Sequence, residues 1–293
     1  MTRMHLAMRP TTPNDGTALA RIFDGAYSGG YLATFDRDGP LSPGDLWWVH
    51  SEKDVSVFEV DHHLAGVLVI ARGQGQWVVE EALCPQFGGY PPRTQDTLVS
   101  RMTAYLIDLF RRGKQRTLML RAAETNPFGL RLGQGMQAGF NNALLVFRRR
   151  DPKGIVARAP DGYHLRKTTP ADLPHLGRLV REILPDRPRA DEVERVLTSA
   201  DARGYLGLRD ALPVGFAAVE LRANGSDWTV GVRETHRRRG LGRALAATAT
   251  AALRTRGRVP FATAWALDPV TVPFLCSLGF VAERTYVYME KPL

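Results

Sequence analysis

The stretch His236-Arg237-Arg238-Arg239-Gly240-Leu241-Gly242-Arg243-Ala244-Leu245 places three consecutive arginines directly ahead of a Gly-x-Gly step. Residues of these types serve one of two chemistries. Guanidinium groups in a row form a patch for a long polyanion, or they join backbone N–H groups around one small phosphate ligand. The local order favours the second. An apolar stretch, 229–232, runs through the turn 233–236 into the glycines, and an Ala- and Leu-rich helical segment, 243–256, follows. A strand that feeds a glycine-containing loop and then a helix aims free amides and the positive end of the helix dipole at one place. Gly240 and Gly242, lacking Cβ, allow the backbone to approach a ligand closely. Neither of two common phosphate loops fits, since there is no third glycine for a dinucleotide loop and no Lys-Ser/Thr for a nucleoside-triphosphate loop. A bare Gly-x-Gly also suits a solvated helix start with surface arginines, so the loop alone does not decide.

The elements around the loop recur. Residues 8–23, MRPTTPNDGTALARIF, and 165–180, LRKTTPADLPHLGRLV, share Arg-x-Thr-Thr-Pro-x-Asp followed by a helical pattern, with Thr as cap and Pro in the first turn. Segments 56–71 and 204–220 each predict a β-hairpin. A tryptophan-led strand follows in each half, 77–83 and 228–234, then a long helix, 94–111 and 241–256, then a Gly-Phe step and a β-rich tail, 138–150 and 278–290. Such self-similarity predicts an α/β chain of two tandem domains with one element order, 1–150 and 163–293, joined by the Pro-, Gly- and charge-rich linker 151–162.

Composition narrows the classes. The chain has 293 residues and a formal net charge of +9, which divides as +3 for 1–150 and +6 for 151–293. Neither half is basic enough to demand nucleic acid. Cys84 and Cys276 are two cysteines without paired spacing, as expected of buried thiols in a reducing compartment. The longest apolar run, 65–71, is too short to cross a bilayer, and the N-terminal segment has no apolar core of a signal peptide, so a soluble cytoplasmic protein is expected. His62 and His63 fall in a predicted hairpin turn with no Cys or His at metal spacing, and no metal site is expected.

At the loop, V-R-E-T-H-R-R-R-G-L-G-R-A-L resembles the acetyl-coenzyme A loop of the GNAT superfamily of N-acetyltransferases, Val-x-Pro-x-x-(Arg/Gln)-x-x-Gly-x-(Gly/Ala). Val232, Arg237, Gly240 and Gly242 take the matching positions and Glu234 replaces the usual proline. A second block, DPVTVPFLCSLGF at 268–280, is similar to the family's Asn-x-x-Ala-x-x-Phe-Tyr-x-x-x-Gly-Phe, with Phe274, Gly279 and Phe280 matching. The resemblance implies two tandem GNAT-like domains, each a mixed, mostly antiparallel sheet flanked by helices. It implies acetyl-coenzyme A as cosubstrate, with Val230, Val232, Arg237, Arg238, Arg239, Gly240, Leu241, Gly242, Arg243, Asp268 and Phe274 as its contacts. In the first half, CPQFGGYPPRTQ at 84–95 puts Gly88 at the Arg/Gln position and Pro91 at the first glycine, and proline lacks the N–H that a cradle needs. That half is expected to keep the fold without the cofactor loop.

The implied chemistry is direct attack of a neutral amine on the acetyl thioester, which calls for a base, a held oxyanion and a proton for the thiolate. The family's proton donor is the tyrosine after the phenylalanine of the second block; here it is Leu275. Asp268 stands for the family's asparagine. Tyr286 and Tyr288 are candidates to replace the missing acid, with packing on a half-buried sheet as the alternative. Cys276 adjoins the vacant position but projects about 100° away on a helix. Glu220 and Asp227 are the candidates for the base, each equally a strand-end carboxylate. His236 reads as structural. Trp47 and Trp48 are candidates to line the acceptor pocket, and Asp186, Asp191, Glu192 and Glu194 to attract a cationic amine or to form a solvated helix face. The expected activity is acetyl transfer to a primary amine of a small molecule or peptide, the alternative a non-catalytic acyl-coenzyme A binding protein. Neither a nucleic acid nor a membrane is expected as partner, and the chain is expected to act as a monomer or homodimer.

Overall fold

A computed structural model describes residues 5–30, 54–73, 75–151, 153–184, 187–199, 202–220, 228–255 and 259–293. It divides into two compact units. The first gathers the described residues of Met1–Leu145 with Trp265–Leu267 and Arg284–Leu293; the second comprises those of Val146–Ala264 with Asp268–Glu283. The single cut at 151–162 expected from the repeat treats each half as closed. The compact units instead each run over separated stretches of chain, and the linker residues belong to the second.

In the first unit the strands β1 (Leu6–Pro10), β2 (Asp54–Val60), β3 (His63–Arg72), β4 (Trp77–Leu83) and β5 (Thr117–Ala123) lie side by side in chain order. The last strand of the chain, β12 (Val281–Pro292), follows β5, with Tyr286 opposite Ala123 and Pro292 opposite Thr117; β6 (Gly139–Arg148) comes next. β1 with β2, β2 with β3, β3 with β4 and β5 with β12 are antiparallel; β4 with β5 is parallel, joined at Val78↔Met119 and Val79↔Leu120 before the two part. Alternation along β2 and β3 sends Val55, Val57, Val67 and Val69 to helix α1 (Gly16–Ser28) on one face. Phe58, Leu68 and Ile70 go to α2 (Pro92–Arg112) and α3 (Pro127–Gly135) on the other. β3, covered on both faces, therefore reads as a nearly continuous apolar run rather than as an alternating pattern.

The second unit repeats the plan. Its sheet runs β10 (Trp228–Val232), β9 (Leu212–Glu220), β8 (Ala202–Arg209), β7 (Tyr163–Lys167), antiparallel throughout. Helices α4 (Leu173–Ile183) and α5 (Arg187–Thr198) cover one face through Leu176, Leu179, Val180 and Val193. Helix α6 (Leu241–Arg254) covers the other, and β11 (Phe261–Trp265) and α7 (Thr271–Ser277) complete the chain before β12. Gly207 and Gly215, paired across β8 and β9, let α6 sit low: a Cβ at Gly207 would stand 2.9 Å from Leu241 Cδ1, and one at Gly215 3.1 Å from Leu245 Cδ1.

Both repeats of Arg-x-Thr-Thr-Pro-x-Asp have the same physical cause. Thr12 with Asp15, and Thr169 with Asp172, close reciprocal capping boxes at short 3-10 turns. The Arg9 and Arg166 guanidinium groups each grip the capping carboxylate with two nitrogens at 2.7–2.8 Å. The hairpin turns match as well: Asp61 and His62, like Asp210 and Ala211, all have positive φ of 49–66°, the signature of a type I′ turn. Among the described residues no helix is long and apolar enough to cross a membrane, and no group of three His, Cys, Asp or Glu is placed to hold a metal ion.

Candidate functional site

β10 is the end strand of its sheet, and beyond its free edge the second unit opens into a cleft of about 720 Å³. That size is ordinary for a small-molecule site. One wall is β10 itself, Trp228 to Val232; the opposite wall is Ala262 and Thr263 of β11 with Phe274 and Leu275 of α7. An end strand presents N–H and C=O groups that no neighbouring strand takes, so between Thr229 and Gly231 this wall offers donors and acceptors to whatever lies along it.

At the mouth the chain leaves β10, makes a 3-10 turn at Glu234–His236, and enters α6 through Gly240. Two positions have left-handed backbone. Gly240 has φ 88°, which glycine adopts freely, and its absent Cβ would lie 3.3 Å from Pro160 Cγ. Arg238 has φ 62°, a conformation that costs a non-glycine residue about 1–3 kcal/mol and persists only where the surroundings hold it. Alternating backbone of this kind turns successive amides to one side. The N–H groups of Leu241, Gly242 and Arg243 occupy the first turn of α6, where helix geometry supplies no acceptor, and the first intrahelical bond is Ala244 N–H to the Gly240 carbonyl at 3.1 Å. Gly242 faces the cleft: a Cβ there would meet Phe274 at 3.6 Å and Val232 at 3.7 Å.

Of the residues expected to contact a cofactor, Val230, Val232, Arg237, Arg238, Gly240, Gly242, Arg243, Asp268 and Phe274 line the cleft. Leu241 does not; its side chain is fully buried against Gly207 and Gly215, and only its amide belongs to the loop. Arg239 is exposed and outside the lining. Two of the arginines bind protein carbonyls. Arg237 Nε donates to the Val232 carbonyl at 3.0 Å, bracing the turn, and Arg243 Nη2 donates to the Ser277 carbonyl at 2.9 Å, tying α6 to the end of α7. Asp268 is a cap: one carboxylate oxygen accepts the Val270 and Thr271 amides, each at 2.8 Å, at the start of α7. Leu275 is buried and lines the cleft, and Cys276 beside it is exposed. Ile183 and Leu184 at the end of α4, and Thr263 on β11, also line the cleft, and no motif pointed to them. Ile183 and Leu184 lie far along the chain from either motif and Thr263 just ahead of the second, and all three arrive through packing.

Of the catalytic candidates among the described residues, neither Tyr286 nor Glu220 is in the lining of the cleft. Tyr286 belongs to the first unit, where it is fully buried opposite Ala123. Burial pushes its hydroxyl pKa above the usual value, with Arg284 working against this. Tyr288, two residues on, packs edge-on to Trp265 at 5.1 Å in the same unit. Their position follows from β12 joining the sheet of the first unit. Glu220 ends β9 half-buried and is outside the cleft lining. Asp227, Trp47, Trp48 and Asp186, and the side chain of Glu192, lie outside the described residues. Asp191 is exposed, and Glu194 is gripped by Arg181 at 2.7 Å through both nitrogens.

The first unit shows what the cleft requires. Its loop carries Pro91 at the cap of α2 and Pro92 at the first helical position, so the amides are missing where Gly240 and Leu241 supply them. Where β4 and β5 part, Arg121 fills the gap: its Nε donates to the Glu80 carbonyl at 3.4 Å, and Nη2 stands 3.8 Å from the carboxylates of both Glu80 and Glu81. Asn126 donates to the Ala82 carbonyl at 2.9 Å beside it.

A family model, that of FR47-like proteins, matches residues 205–289, which covers β9, β10, the loop, α6 and α7. No curated protein sequence matches the chain. Among solved structures the chain is similar to a tandem GNAT protein from the clavulanic acid biosynthesis pathway, with TM-score 0.72 at 18% identity over 98% of each chain. It is similar to a GCN5-related N-acetyltransferase from Sphaerobacter thermophilus, also with TM-score 0.72 at 18% identity, over 98% of this chain and 95% of the other. An acetyltransferase of the GNAT family from Colwellia psychrerythraea matches with TM-score 0.64 at 10% identity over 98% and 99%.

Proposed function

Because the chain has the tandem GNAT fold, we propose that its second unit transfers an acetyl group from acetyl-coenzyme A to a primary amine of a small molecule or peptide. The observation that carries this is the cleft that runs from the free amides at the head of α6 along the unpaired edge of β10. A pyrophosphate suits the first, through the amides of Arg238 to Arg243, the helix dipole and the guanidinium of Arg238. A pantetheine arm, which carries two amides, suits the second, since it pairs with an edge strand as a further strand does. The first unit, with Pro91 and Pro92 in its loop and Arg121 in its gap, supports the fold and leaves this chemistry to the second.

In the transfer the amine nitrogen bonds to the thioester carbon and the carbon–sulfur bond breaks, the amine losing one proton and the thiolate gaining one. Asp268 is the one carboxylate among the described lining residues, and it is committed to two amides. The amine must therefore attack in its neutral form and, as the carbon–nitrogen bond forms, give one proton to water. Leu275 supplies no acid, and none is needed for departure itself, because a thiol with a pKa of about 8.5 leaves readily as the thiolate. Water then protonates it.

Calorimetric titration of the full chain with acetyl-coenzyme A tests the site, and Gly240→Val is expected to abolish the heat release by forcing a β-branched residue into a left-handed position. Absence of heat with the unaltered chain refutes the cofactor reading. Thiol release on mixing acetyl-coenzyme A with a panel of amines, polyamines, peptides and aminoglycosides tests the transfer. Binding without release from any of them would leave a binding protein and overturn the enzyme.

A further inference from the structure

His236 sits two residues before the left-handed Arg238, and its Nδ1 lies 2.9 Å from the hydroxyl of Tyr163. Tyr163 is the first residue of β7, 73 positions away, and belongs to neither motif. Its hydroxyl oxygen accepts a hydrogen bond from Arg209 Nη1 at 3.3 Å. Arginine only donates, so the tyrosine proton is free to point at His236, whose Nδ1 is then the unprotonated nitrogen of a neutral ring. The surroundings favour that neutral ring: burial, then Arg239, Arg209 and Arg233, all lower its pKa from the usual histidine value. The Tyr163 ring is buried, stands edge-on to His236 at 5.8 Å between centroids, and carries the Arg209 guanidinium 5.3 Å over its face. On the other side of the turn Arg237 Nε holds the Val232 carbonyl. The turn that leads into Arg238 is thus held at both His236 and Arg237.

We infer that Tyr163 is a positioning residue, which acts through His236 to hold the 237–243 loop in the form whose amides meet the coenzyme A pyrophosphate. The inference rests on the coenzyme A reading of the site. His236, ahead of Arg237, thus has a defined task, and the partner that makes it effective comes from the far edge of the sheet.

The test is calorimetric titration of full-length variants with coenzyme A alone. Tyr163→Phe, which removes one oxygen, and His236→Leu are each expected to weaken binding about five- to tenfold, as loss of one hydrogen bond does. The double variant is expected to bind no more weakly than either single one. His236→Asn, whose Oδ1 accepts where Nδ1 does, is expected to bind within about twofold of the unaltered chain. A merely structural role would not give that rescue. Tyr163→Phe binding like the unaltered chain overturns the inference, as does a double variant whose loss is the product of the singles. Should Tyr163→Phe fail to fold, the contrast of His236→Leu with His236→Asn decides alone, and equal binding by those two overturns it. If the unaltered chain itself does not bind coenzyme A, the site reading falls and this inference with it; binding that Tyr163→Phe leaves unchanged removes this inference only.

Discussion

Alanine at the two glycines of the loop separates backbone strain from lost space. At position 240 the φ is 88°, and an L-residue in the left-handed region costs about 1–2 kcal/mol. The new methyl also stands 3.3 Å from Pro160 Cγ, close enough to require a shift of a few tenths of an ångström. Gly240→Ala is therefore expected to destabilise the second unit by about 1–2 kcal/mol. Gly242 lies within α6 with ordinary helical backbone, and its methyl would sit 3.6–3.7 Å from Phe274 and Val232, a normal contact. Gly242→Ala is expected to leave stability unchanged or raise it by up to about 1 kcal/mol by restricting the unfolded chain. For coenzyme A binding, Gly240→Ala is expected to weaken affinity because the amides around it turn, whereas Gly242→Ala keeps every amide and takes only a methyl's volume from the cleft. Urea unfolding followed by far-ultraviolet circular dichroism reads the first pair of values, and calorimetry with coenzyme A the second. If Gly240→Ala proves as stable as the unaltered chain, or Gly242→Ala the less stable of the two, the conformation assigned to the loop is wrong.

The capping carboxylates make stability depend on acid. Arg9 and Arg166, together with the Thr12 and Thr169 groups, hold Asp15 and Asp172 well below the usual carboxylate pKa, so the unfolded chain binds more protons as the pH falls. Their contribution is complete above about pH 4 and fades below it; urea midpoints between pH 5 and 3 are expected to fall less in the Asp15→Asn/Asp172→Asn variant, and an equal fall removes the assignment. Arg121→Ala leaves the Glu81 carboxylate buried without its neighbouring cation and is expected to cost about 3–5 kcal/mol in unfolding while coenzyme A binding is retained; loss of binding in a folded variant would show that the first unit takes part in the cofactor site. Iodoacetamide at pH 8 is expected to add one group to the folded chain, at the exposed Cys276, since burial pushes the Cys84 thiol up to about 12. Two adducts in the mass spectrum would contradict the burial of Cys84.

What the sequence by itself determined are the features that neighbours in the chain settle. The two Thr-Thr-Pro-x-Asp boxes, the hairpins and the glycine-led entry to α6 depend on residues within a few positions of one another, and there the backbone obeys local sterics and local hydrogen bonds. The repeat of element order, and the prolines that spoil the first loop, were legible for the same reason. Only the tertiary structure decided where long-range partners fell. A strand's alternating pattern says which residues share a face but not which sheet it completes, so nothing local to Tyr286 revealed that β12 carries it into the core of the first unit. Arginine side chains are long and take whatever acceptor packing brings near, so the bracing of the Val232 carbonyl by Arg237 and of the Ser277 carbonyl by Arg243 is a matter of the folded unit alone. Tyr163 meets His236 across 73 residues because β7 and the loop lie at one end of the same unit, a proximity that only the folded sheet creates.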